Sequence, residues 1–118
     1  MNNNSVLKKM AIASNLKHFE IKEIFELGGL ALSSSQIKSY MAGSQHRNYE
    51  KLNDEGLERF LNGFITYSRG PKDESYPLPR IVENHIIGLI ESGNIAAIEE
   101  IRSLLDDAEA GENTSGAD

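Results

Sequence analysis

The 118-residue chain contains no cysteine and no tryptophan, only three prolines, and no apolar run of the length a bilayer requires. Without cysteine there is no disulfide framework, no thiolate metal site and no thiol nucleophile, a composition that fits a reducing cytoplasm. The stretch Val6 to Ala13 is broken by Lys8 and Lys9, so neither a signal peptide nor a membrane span is visible, and a cytoplasmic location with no membrane partner is expected. Sustained alternation of apolar and polar residues is also missing, which leaves no strand to predict. What remains is enough residues to bury one core, but not two independent ones.

Charge is uneven along the chain. Residues 1 to 49 carry six basic side chains against three acids, a balance of +3, and the remainder carries six against fifteen, a balance of −9. An acidic protein is repelled by phosphate backbones, which disfavours a nucleic-acid partner, although the N-terminal half is locally basic.

Apolar spacing near 3.6 residues predicts six helices. Val6, Leu7, Met10 and Ala11 define the first, from about Ser5 to Ser14, behind asparagines able to cap it. Phe19, Ile21, Ile24, Phe25 and Leu27 define the second, from His18 to Leu27, stopped by Gly28 and Gly29. Ser33 and Gln36 form a capping box ahead of a third, Ser34 to Ala42, whose stripe is Ile37, Tyr40 and Met41. Ser44 to Leu52 reads as a loop. Asn53 caps a fourth helix with the strongest stripe in the chain, Leu57, Phe60, Leu61, Phe64 and Ile65, ending at Arg69 and Gly70. Gly56 and Gly63 weaken its interior, and the simplest compensation is another helix approaching Gly63 closely.

Residues 71–79, with Pro77 and Pro79, read as a connector. Ile81 to Ile90 and Ile95 to Leu105 then supply two helices, a hairpin over residues 80–110, and residues 111–118 read as a disordered acidic tail. The fold class expected is all-α: a four-helix N-terminal unit over residues 1–70, containing a helix-turn-helix-like hairpin at residues 18–42, followed by the C-terminal hairpin.

Three segments in order, NNNSVLKKMAIA from Asn2, EIFELGG from Glu23 and FLNGFI from Phe60 followed by Arg69 and Gly70, resemble the repeat unit of the YehS-like proteins. These are uncharacterised bacterial cytoplasmic proteins built around a domain of unknown function, and typical members are similar to two tandem copies of the unit. The resemblance spans Asn2 to Glu74 and implies no activity. Beyond Pro79 no second full copy is visible; Asn84, Ile86, Ile87 and Ile90 echo Asn4, Val6, Leu7 and Met10 as a decayed half repeat would.

No constellation for catalysis emerges. His18, His46 and His85 are far apart and none pairs at helical ligand spacing, so no metal site is expected. The glycines form neither a phosphate loop nor a nucleophile elbow, and no cofactor is expected. Glu99, Glu100, Asp106 and Asp107 fall on polar faces of an amphipathic helix. The leading expectation is a non-enzymatic helical interaction module, binding a protein partner or a second copy, with Ile87 and Leu104 in its contact surface. The alternative is a DNA-associated regulator in which Ser34, Ser35, Gln36, Lys38 and Ser39 of the third helix, with Arg47 beyond it, contact nucleic acid. A cryptic small-molecule enzyme is the distant third.

Overall fold

The structure is a computed structural model and describes residues 1–70 and 78–116, with the backbone alone for 112–116. Six helices follow in order: α1 (Asn3–Ala13), α2 (His18–Leu27), α3 (Ser34–Met41), α4 (Asp54–Arg69), α5 (Arg80–Glu91) and α6 (Ile95–Gly116). Among the described residues there is no strand, and no helix is long and apolar enough to cross a membrane. Most of the expected connector, residues 71–77, lies outside the described residues. The chain divides into two compact units, Met1–Val82 and Glu83–Asp118, so the first turn of α5 belongs to the first unit.

Local chemistry starts the helices where the caps were read. Asn53 accepts the Gly56 amide at 2.7 Å, and Ser33 and Gln36 exchange bonds of 3.1 and 2.9 Å in a complete capping box. The cap of α1 is Asn2, which accepts the Ser5 amide at 2.9 Å. The α2 helix ends at Gly28, and Gly29 takes the left-handed conformation (φ 89°) that a residue with a Cβ avoids.

In the first unit, α2 packs on α4 and α3, and α1 packs on α3 and α4. The core is Leu7, Ala11, Ile21, Ile24, Phe25, Leu32, Ile37, Leu52, Phe60 and Tyr67, in which Phe25 and Phe60 meet as tilted rings 5.2 Å apart. Part of the expected stripes faces water instead: Phe19, Leu27, Leu61 and Ile65 are exposed. The reason is the closeness of α2 and α4. A Cβ on Gly63 would overlap the Ile24 carbonyl oxygen, and one on Gly28 would overlap that of Arg59. Two backbones in contact bury only the residues nearest the crossing, here Ile24, Gly63, Phe60 and Tyr67, and turn the flanks of each stripe outward.

Asn4 is a buried clamp rather than a cap. Its Nδ2 donates to the carbonyls of Tyr40 (3.0 Å) and Glu50 (2.8 Å), and its Oδ1 accepts the Leu52 amide at 2.9 Å. With Asn3 donating to the Leu52 carbonyl and to Asp54, the start of α1 fixes the segment before α4 and seats Leu52 in the core. Arg80 of α5 makes a two-pronged contact with Glu23, at 3.0 and 3.2 Å, and Ile81 packs against the core.

The second unit has a different character. Ser92 to Asn94 turn the chain between α5 and α6, after which, among the described residues, the two helices do not pack along each other. No described side chain of this unit is buried. The sequence reading ended α6 before Gly111 and made 111–118 a disordered tail; the helix instead continues to Gly116, while residues 117 and 118 lie outside the described residues. The added segment has no proline, and once a helix is under way each further residue gains a backbone hydrogen bond without a new nucleation cost.

Candidate functional site

The first unit carries an open cleft where the start of α2, the end of α3 and the following loop meet. Ser35, Lys38 and Ser39 are spaced three and four residues apart on α3 and therefore share one face. That face lines a cleft of about 670 Å³ together with Met41, Ala42, His18, His46 and Asn48. The loop opposite is held in shape by its own backbone: the His46 amide donates to the Gly43 carbonyl at 2.9 Å and the Tyr49 amide to the His46 carbonyl at 3.0 Å. Glu50 returns to α3 by donating its amide to the Ser39 carbonyl at 3.1 Å. From α1, the Lys8 ammonium donates to the Ala42 carbonyl at 2.7 Å, which satisfies an end-of-helix acceptor and places a second cation at the rim.

Two hydrogen bonds decide what the lining can offer. The Asn48 backbone amide donates to His46 Nδ1 at 3.1 Å, so Nε2 is the ring nitrogen left to donate into the cleft. Ser39 donates its hydroxyl to the Ser35 carbonyl at 3.0 Å, so that proton is taken. A smaller pocket of about 320 Å³ shares His18 and Met41 with the cleft and is otherwise lined by Ala11, Ile12, Asn15 and Leu16. The cleft thus has a polar part and an apolar annex. Among the described residues, no group of three or more histidine or carboxylate side chains is placed to hold a metal ion.

Of the residues proposed for nucleic-acid contact, Ser35, Lys38 and Ser39 are brought together in the cleft. Ser34 opens α3 and is exposed, the Gln36 side chain is engaged in the capping box, and Arg47 is exposed on the loop without lining the cleft. Ile87 and Leu104 stand 42% and 62% exposed in the second unit. Sequence reasoning missed His18 and His46 as members of one site. They lie 28 residues apart, and the convergence depends on α1 clamping the loop, which leaves no short-range pattern.

Residues 3–70, more than half of the chain, match the family described as "Protein of unknown function (DUF1456)". The chain belongs to that family. Its DUF1456 segment takes in α1 to α4 and every residue lining the cleft. The chain is also 36% identical over 63 residues to "Uncharacterized protein YehS" of Escherichia coli (strain K12), an alignment covering 53% of this chain and 40% of that relative. The chain therefore spans less than half of the relative's length. No solved structure matches.

Proposed function

We propose that the protein is a non-enzymatic helical interaction module, and that the α5–α6 segment receives a partner helix whose aliphatic stripe is flanked by lysine and arginine. One observation carries this reading: no described side chain of the second unit is buried, while Ile90, Ile95, Leu104 and Leu105 each stand more than 60% exposed. Large aliphatic side chains left uncovered on amphipathic helices are a common mark of a surface that binds.

The charge selects the occupant. Residues 83–118 hold nine acidic side chains against Arg102 alone, a balance of −8. On α6 the Ala97, Ile101, Leu104 and Leu105 stripe is bordered by Glu100 and Asp107. Two copies joined through this segment would set −8 against −8, whereas a basic amphipathic helix satisfies both the stripe and its border.

The test uses the full chain with two synthetic helical peptides, one with leucines flanked by lysines and one with leucines flanked by glutamates. The lysine peptide is expected to bind, more weakly at high salt, and Leu104→Glu or Ile87→Glu is expected to abolish binding while α1 to α4 stay folded. Equal binding of both peptides, or a stable dimer by sedimentation that Leu104→Glu dissociates, would replace the basic partner with general stickiness or self-association.

A further inference from the structure

The cleft of the first unit is not used by the interaction just described. Its lining is one-sided in chemistry. Lys38 brings an ammonium, His46 its Nε2 edge, Asn48 its side-chain amide and Ser35 a hydroxyl, and among the described residues no carboxylate lines it. The Lys8 ammonium, held on the Ala42 carbonyl, adds positive potential at the edge. Donors from a helix and from a loop facing it suit a tetrahedral oxyanion, whose oxygens point out of any one plane, better than a carboxylate, whose acceptor sites lie in a single plane.

Size and polarity say more about the ligand. A cleft of about 670 Å³ is far larger than a bare phosphate and falls within the usual range for small-molecule sites. Its annex, bounded by Ala11, Ile12 and Leu16 and sharing Met41, offers an apolar surface next to the donors. We propose that this cleft binds a small organic phosphate, the phosphate meeting Lys38, His46 and Asn48 and the organic body lying on Met41 and Ile12.

The experiment follows backbone amides of the isotope-labelled full chain by NMR at neutral pH during titration with phenyl phosphate. Shifts are expected at His46 and Asn48 from the phosphate and at Ile12 and Leu16 from the ring. Inorganic phosphate and benzoate should each bind about tenfold more weakly or worse, and Lys38→Met should weaken phenyl phosphate by a similar factor, the size of one charge-assisted contact. Lys38 is exposed, so that variant is expected to keep the parent unfolding midpoint, and Asn48→Ala gives a second, uncharged probe of the same site. The proposal is overturned by an absence of shifts, by benzoate binding as tightly as phenyl phosphate, or by inorganic phosphate matching it, which would leave the annex idle. It is equally overturned if a short DNA duplex displaces phenyl phosphate through Lys38 at lower concentration, which would assign the cleft to nucleic-acid backbone.

Discussion

Tyr67 donates its phenolic proton to Oε2 of Glu20 across 3.2 Å in the interior of the first unit, and neither side chain reaches solvent. The other oxygen of Glu20 accepts the Lys17 amide at 2.8 Å. One carboxylate therefore starts α2 and joins it to the last turns of α4. A buried carboxylate needs such donors, because an unpaired one would be far costlier than any bond it replaces.

Removing the phenolic proton tests this link. Tyr67→Phe leaves Oε2 of Glu20 without its donor and is expected to destabilise the first unit by about 2 kcal/mol, the usual range for a hydrogen bond to a charged group. The shift in urea midpoint at unchanged slope measures it.

The same pair sets an alkaline limit. Burial, and then the neighbouring Glu20 carboxylate, push the Tyr67 phenol well above its ordinary value of 10.0. The folded state holds this proton more tightly than the unfolded state does. The stabilisation is therefore complete below about pH 10 and is lost as pH climbs towards the raised folded value. Phenolate absorbance should develop late in the folded protein, and unfolding should become easier above about pH 10; Tyr67→Phe should flatten that dependence.

The α2–α4 crossing gives the largest expected loss. Gly63→Ala would drive a methyl into the Ile24 carbonyl oxygen, and since backbone cannot step aside as a side chain can, a penalty of about 3 kcal/mol is expected. Gly88→Ala is the contrast: nothing lies within 4 Å of the added carbon, so helix propensity alone should act and stabilise α5 by roughly 0.8 kcal/mol. Thermal unfolding of both variants checks the pair, and equal effects would contradict the crossing.

Asn4 is expected to be as sensitive as a core aliphatic. Asn4→Leu deprives the Leu52 amide and the Tyr40 and Glu50 carbonyls of partners, with an expected loss of about 3 kcal/mol. Faster hydrogen exchange at Leu52 should report the loosened segment directly.

Much of the first unit was legible because its signals are local. The Asn53 cap, the Ser33–Gln36 box and the Gly29 stop are read within four residues, and the weakness of Gly63 in a strong stripe rightly implied a close neighbour. What escaped were polar residues acting at long range. Asn4 sits among asparagines that all read as caps, and its partners lie 36 to 48 residues away. Glu20 looks like an ordinary first-turn acid until Tyr67, 47 residues on, is seen to meet it. The cleft was half visible: Ser35, Lys38 and Ser39 follow from helical spacing, whereas His18, His46 and Asn48 join them only through tertiary packing. The exposure of Phe19 and Ile65 was hidden for a related reason, since periodicity ranks residues by hydrophobicity and knows nothing of how close the next backbone comes.

The contact of Gly28 with Gly63 also governs how the first unit can move. Where side chains separate two helices, a change of rotamer lets one slide past the other by an ångström or two. At this crossing no rotamer exists to change. Sliding α2 along α4 would press the Cβ of a neighbouring residue into a carbonyl, so the contact locks the register of the two helices, while the Glu20–Tyr67 bond nearer the other end of α2 holds their angle. His18 stands at the far end of α2, about 15 Å from that contact at 1.5 Å per residue, so two fixed points on α4 set where it meets the cleft.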